Sequence, residues 1–505
     1  MTRSLGRRTA GVPIAMNLDH NAPIVLSDGA VTTSDIWRPS PARPLPTILT
    51  RTPYGKETHF HMSPIDPRAA IERGYNMVIQ DVRGRGGSNG TFAPFTQERQ
   101  DGHDSIDWIS AQPWSDGRVV MTGPSYVGAT QWLAAQTQPS ALKAIAPLNS
   151  SDSFGNGFAF TNGVREHGFL TSWVAASLGP PDLLRHDTIA AGDADPFSLA
   201  ALVPEVKRWF TTDADDEYWA AVSVGPDRSS IDIPVLSVGG WYDIFLRGTL
   251  HAHHYRNDPR DRLIIGAWAH DNYFSHLVGP RNLGYAGSGD AVGLGEIVLD
   301  FFDDALALRA SRLPPVSAFV LGTREWSDFP AWPPPNNRAL TYSVSTGTID
   351  VNTDDLPPST GGRALRVGEP GGGWGPTDQS MLFARPDTLV TTIDRPNSEL
   401  TLAGPARVSL TVDKPRDTRL WVCLLCVRGH DGALDIIADG VARQDASEAT
   451  VDVPLGDILI HLDGGTELVL IVCGGYFPRW DPTTEGGRQT VLSPSTLNLT
   501  ELLSD

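Results

Sequence analysis

The chain has 505 residues, more than one hydrophobic core ordinarily accommodates, so two to four domains are expected. Its 14 tryptophans and 17 phenylalanines require a packed interior, which excludes a disordered chain. The formal net charge is −19 and the sequence contains no basic run, so nucleic acid and anionic membranes are poor partners and a small neutral or cationic substrate fits better.

The N-terminal segment predicts no targeting signal. Residues 1–16 contain arginines but no apolar stretch of signal-peptide length, and no window of the sequence resembles a transmembrane span. Cys423, Cys426 and Cys473 are too few, and odd in number, for a disulfide framework, which suits a reducing compartment. A cytoplasmic protein without membrane contact is therefore expected.

Short apolar runs alternate with helix-compatible stretches in the first half of the chain. The sequence predicts a helix over residues 126–136. It also predicts six strands, over residues 47–50, 76–80, 119–122, 144–148, 235–238 and 263–265. Because strands alternate with helices, we expect a mostly parallel, doubly wound α/β sheet with helices on both faces.

The strand pattern stops between the fourth and fifth predicted strands. An aromatic-rich, helical segment over residues 148–234 interrupts it, which is typical of a cap inserted over the carboxyl ends of the strands. The α/β core accordingly covers residues 1–147 and 235–325. Prolines near Trp332 indicate a linker, and alternating segments beyond it favour an all-β sandwich or jelly roll over residues 326–505.

The motif GPSYVG at residues 123–128 lies directly between a predicted strand and a predicted helix. A nucleophile elbow has this context, because a sharp turn with small neighbours projects a serine hydroxyl above the sheet. The motif departs from G-x-S-x-G, since Val127 occupies the second glycine position and Gly128 follows it. An ordinary turn that caps a helix is the structural alternative for Ser125.

A serine nucleophile requires a base and a group that orients the base. Asp243 follows the predicted strand 235–238 within GGWYD, and His270 follows the strand 263–265 within GAWAH. Both residues fall near the carboxyl ends of strands, in the chain order serine, acid, histidine that α/β hydrolases use. We therefore predict Ser125 as nucleophile, His270 as base and Asp243 as its orienting acid.

Two other clusters suggest metal or redox chemistry, and both have plainer interpretations. His251 and His254 can share a helix face with each other but not with His253, and no acidic or cysteine pattern completes a metal site there. Cys423 and Cys426 form a Cys-x-x-Cys inside an apolar strand pattern, so buried structural thiols are expected.

Four segments together make the sequence resemble the CocE/NonD hydrolases, a family that includes cocaine esterase, α-amino-acid ester hydrolases, glutaryl-cephalosporin acylases and, more distantly, X-Pro dipeptidyl peptidases. These segments are DVRGRGGS at residues 81–88, the elbow, GWYD at residues 240–243 and the region of His270. GP at residues 404–405 and FPRWD at residues 477–481 extend the similarity. The resemblance implies an α/β-hydrolase domain, a helical cap and a C-terminal jelly roll.

The resemblance also implies an oxyanion hole formed by the backbone N–H of Tyr126 and by the hydroxyl of Tyr54, which follows the predicted strand 47–50. It favours Phe245 as a wall of the acyl pocket, and Trp241 and Tyr242 flank the same acid. Each of these aromatic residues could equally belong to the core. No metal or organic cofactor is needed for the two-step acyl transfer that this arrangement predicts.

The activity expected first is hydrolysis of a small, fairly apolar acyl ester. An amide-bond hydrolase of the β-lactam acylase or proline-specific peptidase type, and an acyltransferase, remain open. A substrate ammonium would need carboxylates, for which the cap offers the run at residues 213–217, although such runs usually face solvent. A non-catalytic binding protein and a homodimer formed through the jelly roll are further hypotheses.

Overall fold

The computed structural model describes residues 15–61, 63–178, 204–225, 230–367, 373–395, 398–415 and 417–503. The N-terminal and middle parts contain fourteen strands in these residues: β1 (Met16–Val25), β2 (Val31–Pro39), β3 (Leu45–Thr52), β4 (Asn76–Asp81), β5 (Ser115–Pro124), β6 (Leu142–Leu148), β7 (Phe160–Thr161), β8 (Val164–Arg165), β9 (Leu236–Tyr242), β10 (Arg262–Ala269), β11 (Leu277–Val278), β12 (Arg281–Asn282), β13 (Val316–Val320) and β14 (Glu325–Phe329).

Helices fill the intervals between these strands. The α-helices of the described residues are α1 (Pro67–Arg73), α2 (Glu98–Ser110), α3 (Tyr126–Gln136), α4 (His167–Trp173), α5 (Pro204–Thr211), α6 (Glu217–Val222), α7 (Leu246–Arg256), α8 (Gly289–Val292) and α9 (Leu294–Leu306). A π-helical turn, Val174–Leu178, continues α4, and short 3-10 helices cover Lys56–His61, Tyr285–Gly287 and Ser380–Ala384.

Ten of the strands form one sheet in the order β1-β2-β4-β3-β5-β6-β9-β10-β13-β14. The seven strands from β4 to β13 run parallel, whereas β1, β2 and β14 pair antiparallel at the edges. The central strands are buried on both faces, which is what a parallel sheet covered by helices requires. The predicted α/β fold class is confirmed, and residues that follow β3, β5, β6, β9 and β10 meet at one edge.

All six predicted strands and the helix over residues 126–136 are present, and each of the six strands extends beyond its predicted range. β9 continues through Gly239 and Gly240, and β10 continues to Ala269. The indole of Trp268 fills the space beside Gly240 of β9 and Gly266 of β10, since a Cβ on Gly240 would lie 2.4 Å from its Cδ1 and a Cβ on Gly266 would lie 2.2 Å from its Cζ3. These glycines therefore accommodate a large side chain within the sheet, so Asp243 and His270 directly follow their strands.

The C-terminal part is an all-β domain of two antiparallel sheets. Its strands are β15 (Asn337–Ser343), β16 (Gly347–Val351), β17 (Thr388–Thr392), β18 (Leu400–Val412), β19 (Arg419–Arg428), β20 (Leu434–Gln444), β21 (Thr450–Leu462), β22 (Glu467–Cys473) and β23 (Gly487–Leu502). One sheet has the order β15-β23-β18-β21 with β16 also on β23, and the other has the order β17-β22-β19-β20. Cys423 and Cys426 both lie on β19, but their side chains are buried in two different hydrophobic clusters. The two thiols therefore face opposite sides of the strand.

Candidate active site

Ser125 occupies a strained turn between β5 and α3. Its φ of 58° and ψ of −127° are unusual for a non-glycine residue, and such strain is held only where the surroundings fix the backbone. The Ser125 N–H donates to the Leu148 carbonyl at 2.9 Å, and the Ser125 carbonyl accepts from the N–H groups of Gly128 and Ala129. The turn is therefore held from both sides, which is the geometry of a nucleophile elbow.

Packing explains why the motif departs from G-x-S-x-G. Gly123 has a φ of 141°, and a Cβ there would lie 2.2 Å from Cγ1 of Val127, so the valine side chain fills the space above this glycine. Gly128 instead faces the segment after β6, because a Cβ there would lie 2.5 Å from the Cβ of Ser150. The second glycine of the motif therefore lies at residue 128 rather than 127, because residue 128 is where the helix backbone packs closely against Ser150.

Asp243 and His270 follow the neighbouring strands β9 and β10. His270 Nδ1 and Asp243 Oδ1 are 2.8 Å apart, the Asp243 side chain is fully buried, and the His270 side chain is 10% exposed. A buried carboxylate that accepts from Nδ1–H leaves Nε2 of the imidazole as the available base. The pair is thus arranged as a base with its orienting acid.

Asn149 is a residue of this region that the sequence analysis missed. It follows β6 with a φ of 43°, and its side-chain amide donates to the carbonyl oxygens of Ala269 (3.2 Å) and His270 (2.9 Å). Asn149 therefore ties the His270 backbone to the central strands. An asparagine directly after a strand is a weak signal, since only the folded sheet shows that it reaches the neighbouring loop.

Tyr54 follows β3 and is half-buried beside the elbow. Burial raises the pKa of its phenol, while hydrogen bonds with the Ser125 side chain, the Trp173 indole and the Tyr126 backbone act in the opposite direction. The phenol therefore remains a protonated donor, and it lies against the hydroxyl of Ser125. A hydrogen-bond donor placed beside a serine in this way can stabilise an oxyanion that forms on a substrate carbonyl.

Tyr126 contributes to the site through its backbone. Its phenol points away into the core, where it donates to Glu98 Oε1 at 3.0 Å and accepts from the Phe95 N–H at 2.8 Å. Burial raises the pKa of this phenol well above its usual value. The fixed side chain anchors the first turn of α3, so the Tyr126 N–H is held next to the elbow.

The three aromatic residues near Asp243 have different surroundings. The ring of Phe245 meets the His270 imidazole edge-on, with centroids 4.9 Å apart, and it also contacts the rings of Phe158 and Phe169. Trp241 donates its indole N–H to the Phe319 carbonyl at 2.6 Å. Tyr242 lines a cavity of about 300 Å³ toward the C-terminal domain. Phe245 is therefore the member of this set that the fold brings against the imidazole.

The histidine cluster lies on α7. His253 is largely buried and burial lowers its pKa to about 4, whereas His251 and His254 pack their rings on Tyr255. In the described part of the chain, no group of three or more His, Cys, Asp or Glu side chains is arranged to hold a metal ion. The run of acidic residues at positions 213–217 is mostly exposed, and Asp216 caps α6 by accepting from the Tyr218 N–H at 2.8 Å.

A cavity of about 700 Å³ opens at the amino ends of β6 and β10, where Leu142 and Arg262 line it. It therefore lies at the opposite end of the sheet from Ser125 and His270.

Among the helices that the structure describes, none is both long and apolar enough to cross a membrane.

Two family models match most of the chain. The model of the X-Pro dipeptidyl-peptidase (S15 family) matches residues 28–272, and that of the X-Pro dipeptidyl-peptidase C-terminal non-catalytic domain matches residues 309–502. The cocaine esterase of Rhodococcus sp. (strain MB1 Bresler) is 27% identical over an alignment 533 positions long that covers 92% of each chain.

Solved structures confirm the fold over nearly the full length. An α-amino acid ester hydrolase superposes with a TM-score of 0.79 at 19% identity and covers 99% of both chains. A CocE/NonD family hydrolase from Staphylococcus aureus superposes with a TM-score of 0.70 at 16% identity and covers 97% of both chains. The resemblance seen in the sequence is confirmed, and the chain belongs to the CocE/NonD family of serine hydrolases.

Proposed function

We propose that this protein is a carboxylic ester hydrolase with Ser125 as nucleophile, His270 as base and Asp243 as the orienting acid. The observation that carries the proposal is the buried 2.8 Å hydrogen bond between His270 and Asp243 at the ends of adjacent strands. This pair lies at the same sheet edge as the strained Ser125 turn. The Tyr54 hydroxyl and the Tyr126 N–H supply the oxyanion hole.

The reaction follows from these positions. His270 Nε2 takes the Ser125 proton as Oγ attacks the ester carbonyl, and the resulting oxyanion accepts hydrogen bonds from the Tyr54 hydroxyl and the Tyr126 N–H. When the carbonyl re-forms, the C–O bond to the alcohol breaks and His270 returns the proton to the leaving oxygen. Water, deprotonated by His270, then attacks the acyl-Ser125 ester; the bond from the acyl carbon to Oγ breaks, the acid leaves, and His270 returns the proton to Oγ.

The surroundings of His270 favour a neutral, apolar acyl group. The rings of Phe245, Phe158 and Phe169 form a continuous, buried aromatic cluster that begins 4.9 Å from the imidazole. The acidic cap residues Asp213, Asp215 and Glu217 are exposed. An ester with an aliphatic or benzoyl acyl group therefore fits the described residues better than an amino-acid ester that carries an ammonium.

Amide-bond hydrolysis is the second candidate, because the matching family model is that of a dipeptidyl peptidase. The same triad can cleave an amide, provided that His270 protonates the leaving amine. The two candidates differ in the leaving group and in how the substrate amine is held.

The test is a substrate panel measured with wild type and with Ser125→Ala. It contains p-nitrophenyl acetate and butyrate, a benzoyl ester, phenylglycine methyl ester, glutaryl-p-nitroanilide and Ala-Pro-p-nitroanilide. We expect turnover of the simple esters, its loss in Ser125→Ala, and its retention in Ser153→Ala, a serine of the loop after β6. Turnover confined to the anilides would replace the ester assignment with the amide one.

A further inference from the structure

Two side chains outside the triad contact the loop that carries Tyr54. Trp173 belongs to α4 in the cap, and Arg85 belongs to the DVRGRGGS segment at residues 81–88. Neither takes part in the acyl transfer described above. Both reach the same short loop, although they are separated from it and from each other in the sequence.

Trp173 is held rigidly and donates to the proposed oxyanion donor. Its indole N–H donates to the Tyr54 hydroxyl oxygen at 3.2 Å. The indole is buried, stacks on Trp209 with centroids 5.6 Å apart, and packs on the Tyr126 ring at 6.3 Å. Because packing fixes the ring plane, the direction of the N–H is fixed as well.

Arg85 joins the same loop to the end of the cap helix. Its guanidinium donates to the carbonyls of Pro53 (2.7 Å), Ser177 (2.8 Å) and Leu178 (3.3 Å), and it lies over the Phe92 ring. Pro53 directly precedes Tyr54, and the other two carbonyls end the π-helical turn that continues α4. The planar fork of an arginine suits such a multiple contact, whereas a lysine can supply only a point donor.

A phenol oxygen has one O–H donor and two acceptor lone pairs. When the Trp173 N–H occupies a lone pair, the remaining O–H is left for the oxyanion, and the accepted bond polarises it into a stronger donor. We propose that Trp173 and Arg85 are positioning residues that hold the Tyr54 hydroxyl against Ser125, so that the cap completes the oxyanion hole. This inference rests on the proposed function, because it presupposes that Tyr54 acts in the transition state.

The first test is Trp173→Phe, which keeps an aromatic ring and removes the N–H. We expect kcat for a p-nitrophenyl ester to fall by about threefold to tenfold, the range of one hydrogen bond, with KM nearly unchanged. Trp219→Phe is the matched control: it is a buried cap tryptophan whose indole donates to Thr212 Oγ1 at 3.2 Å instead. Its kcat should remain at the wild-type value, and Arg85→Met should behave like Trp173→Phe.

A double-mutant cycle distinguishes positioning from a packing defect. In a Tyr54→Phe background, Trp173→Phe should cause no further loss of kcat, because the hydroxyl that it orients is already absent. Multiplication of the two single effects, or a wild-type kcat in Trp173→Phe, would overturn the inference. Failure of the proposed function is distinguishable, since it would appear as turnover that survives in Ser125→Ala.

Discussion

At the scale of single residues, the hydrogen bond between His270 and Asp243 decides which imidazole nitrogen can act as a base. A carboxylate only accepts, so Nδ1 must carry the hydrogen and Nε2 is left free. The Asp243 side chain is fully buried, which removes competing water from this contact. The tautomer of His270 therefore depends on one buried oxygen.

Asp243→Asn tests this dependence. An amide can donate to Nδ1 and so favours the wrong tautomer, and we expect kcat to fall by about 10⁴-fold while the fold is retained. Asp271→Asn, one residue after the histidine and exposed, is the control and should keep its activity. An Asp243→Asn enzyme with a kcat within tenfold of wild type would show that Asp243 does not orient the base.

Tyr54→Phe tests the oxyanion donor, both by its effect on kcat and by how that effect depends on pH. We expect kcat to fall by about 10²- to 10³-fold with a small change in KM, as for loss of one oxyanion-hole donor. Because burial raises the pKa of Tyr54 above its usual 10.0, the phenol stays protonated up to about pH 9. The kcat ratio of wild type to variant should thus stay constant from neutral pH to about pH 9, and a ratio that collapses toward one within this range would contradict the assignment.

At the scale of elements, the position of the second glycine in the elbow is determined by packing against the segment after β6. Gly128 provides room for Ser150, whose hydroxyl donates to the Ser125 carbonyl at 2.8 Å. The helix α3 can therefore approach β6 closely only while residue 128 has no side chain.

Gly128→Ala should destabilise the protein by about 1–3 kcal/mol, the usual range for overpacking. In a Ser150→Gly background, which lacks the opposing Cβ, the same substitution should cost much less. Urea unfolding of the four proteins measures the cost of Gly128→Ala in each background. An equal cost in both backgrounds would show that the contact between α3 and this segment is not what excludes a side chain.

The sequence predicts the strands and the order of Ser125, Asp243 and His270 well, because apolar runs and their ends are local signals. The polar strands β1 and β2 were not predicted, since β1 is largely exposed, β2 buries small polar residues such as Thr32 and Ser34, and neither contains a long apolar run. The strand predicted over residues 235–238 continues through Gly239 and Gly240 to Tyr242, and Gly240 makes room there for Trp268. The contacts of Asn149 could not be predicted, because they join segments that only the sheet brings together.

At the scale of the whole molecule, a buried charge cluster connects the segment that leads into α4 to the C-terminal domain. Arg479 pairs with Asp439 and lies 3.5 Å from Glu166, which precedes α4. Burial raises the pKa of Glu166; for Asp439 burial acts the same way, but the guanidiniums of Arg479 and Arg363 outweigh it and keep the pKa of Asp439 below its ordinary value. The positive charge of the Arg479 guanidinium thus balances the negative charge of buried carboxylates from two parts of the chain.

Arg479→Met should lower the free energy of unfolding by about 3–5 kcal/mol, because it leaves buried carboxylates without their cation. Arg338→Met is the control: its side chain is 63% exposed in a surface pair with Glu501, and we expect a change below about 1 kcal/mol. Chemical unfolding at neutral pH measures both. Similar losses in the two variants would mean that the buried cluster does not stabilise the contact between the domains.

The central claim, that Ser125 is the nucleophile of an ester hydrolase, is tested most directly by trapping. Wild type is labelled with a fluorophosphonate probe, digested, and its adduct is located by mass spectrometry, with His270→Ala treated in parallel. We predict a single adduct on Ser125 that parallels the loss of esterase activity and is strongly reduced in His270→Ala. An adduct on another residue, or full esterase activity without any adduct, would contradict the account.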